Sequence, residues 1–338
     1  MVRAAALTGL IALLAIADAA AADSTLATVR ERGRVVCGAS QGTVGFAIPD
    51  VNGVWQGLDV DTCRAIAAAV LGDRDKAQFV PLTGQQRLTA LQTGEIDVLP
   101  RTTTWTLLRD GNGINFTIPN FYDYTAFLVR KAEDVRGGAD LKGASVCIQT
   151  GSTTEIILMD VSRTLGLELR PVIFDSIQAT RQAFFAERCD ALISDASALA
   201  SVRASQTKNP DAFAIYPAND EISALTPAVR HGDDQWFDIV KWSFQALLMG
   251  EQLGITQENV DDMLTSNDPN IQRFLGVEPG NGKALGLDEA WAYRIIKQVG
   301  NYAEVYDRNV GKDSALKIER GPNHLQRNGG LMLPLPFN

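Results

Sequence analysis

Residues 97–110, DVLPRTTTWTLLRD, place Thr102, Thr103 and Thr104 between Arg101 and Arg109, directly after the apolar run Ile96, Val98 and Leu99. Hydroxyls and guanidinium groups gathered at the end of a strand can replace the water around an anion. A planar guanidinium grips a carboxylate through two hydrogen bonds, which a point charge does not do. Arg109 follows the threonines by one or two helical turns and is expected to swing back to the loop, with Thr102 and Thr104 adding hydroxyls. The same arginine also fits a solvated surface position. Residues 151–155, GSTTE, open a helix, where free backbone N–H groups and the hydroxyls of Ser152 and Thr153 suit an anion. An ordinary capping box of Ser152 with Glu155 fits them too.

Asp195 ends the apolar strand CDALISD, where a lone acid is costly to desolvate unless it meets a cation. A ligand ammonium is one such cation; helix capping ahead of ASALASV is the other use for that carboxylate. Arg87, on the helix before EIDVLP, is expected either to reach a second acceptor on a ligand side chain or to make a structural salt bridge. A guanidinium with hydroxyls on one side and a carboxylate on the other complements a zwitterionic α-amino acid.

The elements that must position these residues alternate strand and helix. RVVCGA reads as a strand, GLDVDTCRAIAAAVLG as a helix with Ile66, Ala69 and Val70 on one face, AQFVPL as a strand, QQRLTALQTG as a helix and EIDVLP as a third strand. After the extended stretch NFTIPNFYDYTAFLVRK the order restarts: the strand in GASVCIQT, a helix after GSTTE, the strand ELRPVIF, the helix SIQATRQAFFAER and the strand CDALISD. QQRLTALQTGEIDVLPRTT and ATRQAFFAERCDALISDAS echo one another: amphipathic helix, break, acid, apolar strand. Two similar α/β lobes are expected, with both polar turns beyond strand carboxyl ends, where open α/β sheets bind ligands. ISALTPAVRHGDDQWF reads as a return strand, DQWFDIVKWSFQALLMG and DEAWAYRIIKQVGNYAEVY as helical, and residues 308–338 as a tail wrapping over the surface.

The chain has 338 residues, 46% hydrophobic and 21% charged, enough to bury a sizeable core. Arg3 before the apolar run Leu7 to Ile16 and the small residues Ala20 to Ala22 read as an export signal, so a periplasmic location and cleavage near Ala22 are expected. No later segment is apolar enough to cross a bilayer, so no membrane insertion is expected. A net charge of -9 without a basic cluster argues against nucleic-acid binding. The four cysteines of an exported chain suggest two local bridges, Cys37 with Cys63 and Cys147 with Cys189, among the three connectivities possible. No metal or cofactor is expected: the two histidines, His231 and His324, are far apart, and HExxH and CxxC are both missing from the sequence. Phe46 and Trp105 are candidates for pocket walls.

GLDVDTCRAIA, RLTALQTGEIDVL with the threonine loop, and LKGASVCIQTGSTTE resemble the polar amino acid receptors of bacterial ABC importers, of the glutamate, glutamine, aspartate and asparagine type. The resemblance spans residues 26 to 255. It implies a type II periplasmic-binding-protein fold: residues 23–128 and 226–338 as one lobe, with a helical extension from about 255, and residues 129–225 as the other. It further implies Arg109 at an α-carboxylate, Thr102, Thr104, Ser152 and Thr153 around it, Asp195 at the α-ammonium and Arg87 at an acidic side chain. Where many relatives carry an early aromatic lid, this chain has SQGTVGF, so Ser40 and Gln41 are expected toward the side-chain end. The partners implied are a polar L-amino acid and the importer's permease subunits, with the receptor a monomer and not an enzyme. The alternative is an exported dehydratase-like enzyme on the same fold.

Overall fold

The computed structural model describes residues 24–131 and 135–338, so the expected export segment lies outside the described residues. The strand Val35–Ala39, wholly buried, pairs in parallel with Ala77–Pro81. Its Cys37 also bridges Val98 in parallel, Leu99 bridges Ala228, and Ala228–Arg230 pairs antiparallel with Ile114–Phe116. The second sheet has the order Phe213–Leu225, Phe121–Arg130, Ala191–Asp195, Ser145–Gln149, Arg170–Phe174. Its last three strands run parallel and its first two antiparallel, the same sequence of neighbours as in the first sheet. The chain therefore folds as two α/β lobes with a cleft between them.

The echo in the sequence has a structural cause. In each unit the acid after the helix caps the first strand of its sheet: Val36 N–H donates to Asp97 at 2.7 Å, and Ser145 N–H donates to Asp190 at 2.7 Å. The expected strand EIDVLP is reduced to isolated bridges at Val98 and Leu99, because the chain changes neighbour between those two residues. The return strand begins earlier than expected, at Phe213, and is interrupted near Pro227, which has no N–H to donate. The strand Phe121–Arg130 lies in the second sheet.

The helix Leu58–Leu71 is buried along most of its length and ends at Gly72, whose φ of 76° suits the left-handed cap. Cys63 on this helix is bonded to Cys37, and Cys189 to Cys147, so each bridge fastens a strand to its own lobe. The long helix Asp234–Leu253 centres the larger core through Trp236, Phe244, Leu247 and Leu248. Its Trp236 Nε1 donates to the Asp97 carbonyl at 3.0 Å, which fixes the segment leading to the threonine loop.

The tail does more than wrap the surface. Leu325 and Met332 are buried in the larger core, and Phe337 stacks on Trp291 at 5.8 Å with edge contacts to Trp242 and Phe274. The Asn323 side chain bonds both the N–H and the carbonyl of Tyr122, at 2.7 and 2.9 Å, tying the tail to a strand of the second sheet. Phe337→Ala is expected to destabilise the protein by about 3 kcal/mol, as for other buried Phe truncations. Denaturant unfolding checks this: the midpoint should fall with little change in slope, and an unchanged midpoint would mean that the end of the chain is not part of the core.

Candidate functional site

A cavity opens between the lobes. From the first lobe it is lined by Ser40, Thr43, Gly84, Arg87, Arg101, Thr102 and Thr104. Gln149, Ser152, Thr153, Thr154, Ile177, Ser194, Asp195 and Ala198 line it from the second. Of the expected site residues, Arg87, Thr102, Thr104, Ser152, Thr153 and Asp195 thus meet at one place, while Arg109 and Gln41 lie beside it.

Arg87 sits on the first-lobe helix Gln86–Gln92, 5% exposed, and its Nε has no hydrogen-bond partner. Among the described residues no carboxylate lies within 4.0 Å of it, so the structural salt bridge is not formed. Burial, then the neighbouring guanidinium groups of Arg101 and Arg109, hold its pKa well below the ordinary arginine value. Arg101, part of the conspicuous stretch but given no role by sequence reasoning, also faces the cavity. It is 4% exposed, and its Nε donates to the Leu82 carbonyl at 3.0 Å. Burial brings its pKa down to about 10, against the pull of Asp59. Its place immediately beyond a strand end was the signal that could have found it.

The threonine loop is held under strain. Thr102 has a φ of 32°, a region that a β-branched residue rarely enters. Its N–H donates to Asp59 at 3.2 Å, and Asn120 donates to the other oxygen of the same carboxylate at 3.2 Å. Burial nevertheless pushes the Asp59 pKa up to about 7. Thr104 touches the second lobe, hydroxyl to hydroxyl with Thr153 at 3.3 Å. The Arg109 guanidinium donates to the Thr104 carbonyl at 2.9 Å and to the Gly151 carbonyl at 3.4 Å, so it spans the rim of the cleft rather than lying in solvent.

Two further contacts bring the lobes together. Gly84 and Gly151 face one another so closely that a methyl group on Gly84 would stand 2.9 Å from the Thr150 carbonyl, and one on Gly151 2.9 Å from the Gln85 side chain. Gly151 also has a φ of +73°, so only glycine fits without strain. On the other side, Arg181 donates to the Gly42 carbonyl at 2.9 Å, and Gln178 donates to the Gln41 carbonyl.

The polar turn of the second lobe does not form the capping box. Ser152 donates to the Gln149 carbonyl at 2.7 Å and meets Thr154 Oγ1 at 2.7 Å, while Glu155 accepts from Gly151 N–H at 3.4 Å. Asp195 does not cap the helix Ala196–Gln206 with its side chain. That duty falls to Asp123, which sequence reasoning missed: its carboxylate accepts the Ser197 N–H at 3.3 Å and the Ser197 hydroxyl. The Asp195 carboxylate is left facing the cavity. Burial, then the nearby Asp123 charge, push its pKa up to about 7, with Arg87, Arg109 and Arg101 opposing. Burial raises Asp123 to about 6.

Phe46 does not wall the cavity. It is fully buried, edge-on to Phe121 at 5.2 Å, while Trp105 stacks on Phe116 at 5.9 Å and is 42% exposed. Beside the apolar Ile177 and Ala198, the walls are guanidinium, hydroxyl, amide and one carboxylate, a surface for an ion bearing both signs of charge. Among the described residues no group of three His, Cys, Asp or Glu side chains is placed to hold a metal ion, and no helix is long and apolar enough to cross a membrane.

Comparison with known proteins agrees with this architecture. The General L-amino acid-binding periplasmic protein AapJ of Rhizobium johnstonii is 47% identical over 96% of both chains. The Glutamate/glutamine/aspartate/asparagine-binding protein BztA of Rhodobacter capsulatus is 44% identical over 97% of this chain and 98% of its own. A solved ABC transporter periplasmic binding protein from Brucella ovis with glutathione bound superposes with a TM-score of 0.91 at 43% identity, covering 93% of this chain and 99% of that one. These two near-full-length relatives and the solved neighbour are named as binding proteins, and the fold they share is the type II periplasmic-binding-protein fold. A profile of the bacterial extracellular solute-binding proteins, family 3, matches residues 35–259, and the chain belongs to that family.

Proposed function

We propose that this protein is a periplasmic receptor that closes over one polar L-amino acid, in the range of glutamate, glutamine, aspartate and asparagine, and presents it to the permease of an ABC importer. The observation that carries the reading is the cavity itself, with unpaired Arg87 on one lobe and uncapped Asp195 on the other. A zwitterion supplies the counter-charges that the protein withholds from both. The names of the relatives from Rhizobium johnstonii and Rhodobacter capsulatus support the ligand class. They also support a receptor over the dehydratase-like alternative, and the first of them a periplasmic location; in this reading the leader is removed near Ala22.

In this reading Arg109 and the hydroxyls of Thr102, Thr104, Ser152 and Thr153 hold the α-carboxylate, and Asp195 holds the α-ammonium. Arg87 and Arg101 face the ligand side chain, with Gln41 at that end. In this reading the lobes are residues 23 to about 120 with 226–338 and residues from about 121 to 225, rather than the expected boundary at 128, because the strand Phe121–Arg130 pairs within the second sheet; the hinge is where it and Phe213–Leu225 enter that sheet. Ligand favours closure because only the closed form makes both sets of contacts.

A thermal-shift screen of the mature protein against the proteinogenic L-amino acids tests this directly, since a ligand bound only by the folded state raises the melting temperature. Stabilisation by several polar amino acids is expected; no shift with any of them would refute the receptor reading. Asp195→Ala and Arg109→Ala should each weaken binding by roughly 2 to 5 kcal/mol, the range for removing one member of a buried charge pair. Arg87→Ala should weaken acidic ligands more than amides, and equal losses would remove its proposed role.

The raised acids give a pH dependence of definite sign. Asp195 and Asp59 titrate near 7 in the folded protein but near about 3.9 when unfolded, so between those values the folded state holds more protons. Their contribution to ligand-free stability is therefore full at the acidic end and is lost as pH rises toward 7. A ligand ammonium requires ionised Asp195, so binding below about pH 7 should release a proton and affinity should fall as pH drops. Calorimetry in buffers of different ionisation enthalpy measures this; a binding enthalpy that is independent of the buffer would contradict it.

A further inference from the structure

The cleft does not end at the walls described above. A second, smaller cavity adjoins it in the second lobe and shares Gln149, Ser152, Thr154, Ile177, Ser194 and Ala198 with it. Its own walls are the apolar Leu192, Leu199 and Val202 with Thr180 and Arg181. Arg181 lies on the helix Ile177–Phe185 and is 5% exposed; one nitrogen donates to the Gly42 carbonyl at 2.9 Å, and the other, Nη2, is buried without a partner. Among the described residues no carboxylate stands within 4.0 Å of it. Gln41, whose carbonyl accepts from Gln178 on the same helix, has its Oε1 buried and unpartnered as well. The cavity wall thus holds an unused donor, Arg181 Nη2.

Internal symmetry strengthens the case. Arg87 and Arg181 are each the third residue of the two echoing segments, QQRLTAL and ATRQAFF, and both lie on the helix before the capping acid. Both are 5% exposed, and both carry a buried nitrogen without a partner. Each lobe therefore commits one buried guanidinium to this connected space, a cost of several kcal/mol that a matching anion offsets. Burial alone, with no charged neighbour contributing, lowers the Arg181 pKa to about 10. A free acidic amino acid has two carboxylates, which Arg109 and the Arg87–Arg101 pair already match.

Resting on the amino-acid reading above, we propose that Arg181 and the adjoining cavity form a further anion position, so that the receptor also takes γ-linked glutamyl peptides. In such ligands the side chain continues through a peptide bond to another carboxylate. The methylene carbons of the extended side chain lie along Leu192, Leu199 and Ile177, and the far carboxylate meets Arg181 Nη2.

Calorimetry with L-glutamate and γ-L-glutamylglycine, on the wild-type mature protein and on Arg181→Met and Arg181→Gln, tests the assignment. Wild type should bind both, and each variant should weaken the peptide by about 10- to 100-fold more than it weakens glutamate, the worth of a hydrogen bond to a charged group, because glutamate loses only the shared Gly42 contact. The ratio of the two affinities separates this role from a structural one, because loss of the Gly42 contact alone impairs closure over every ligand. Equal losses for both ligands would overturn the proposal, as would unchanged peptide binding in both variants. Wild-type binding of glutamate without the peptide would overturn it while leaving the amino-acid reading intact. Binding of neither would overturn both. A near-wild-type melting temperature for at least one variant establishes that the comparison is made on folded protein.

Discussion

Burial of charge without a protein counter-charge governs the cleft. Arg87 and Arg101 are almost wholly buried at the cavity, no ion pair is made by either among the described residues, and Asp195 faces them from the other lobe with its carboxylate uncapped. Removing such groups from water costs several kcal/mol each unless a partner replaces the water. The protein could have joined them directly across the cleft, and it does not. The unmatched charges are instead divided between two bodies, so a small ion of both signs becomes their common partner. Binding energy and lobe closure are then the same interaction.

The scaffold keeps the charges apart yet close. Asp123, not Asp195, caps the helix Ala196–Gln206, which leaves Asp195 free. Asp59 and Asn120 hold the strained Thr102 loop at the first-lobe wall, and the facing glycines Gly84 and Gly151 let the two backbones approach without side chains between them. Arg109 and Arg181 each span the cleft to a carbonyl of the opposite lobe. These cross-lobe bonds are few and lie at the rims, which suits a closure that must be reversed for release.

Much of this was legible in the sequence because it rests on local patterns. Strand and helix alternation, the helical echo around Asp97 and Asp190 and the polar turns after strands all follow from periodicity and turn chemistry, and the disulfide pairs are the local ones favoured among the three connectivities possible. What was not legible depends on long-range placement. Arg101 differs from an ordinary strand-end arginine only in what folds over it, and Asp123 becomes a cap only when Phe121–Arg130 lies beside Ala191–Asp195. Phe46 was a candidate for a pocket wall but is drawn into the core against Phe121. The tail, without periodicity, hid the burial of Leu325, Met332 and Phe337, because isolated apolar residues in an irregular segment carry no pattern that marks their common destination.

The most direct measurement is a crystal structure of the mature protein with L-glutamate. The account predicts the ligand between the lobes, its ammonium within hydrogen-bond distance of Asp195 and its two carboxylates on guanidinium groups from Arg109, Arg87 and Arg101. A ligand bound with Asp195 making no contact to it, or one bound outside this cleft, would contradict the claim that the divided charges are what the receptor uses.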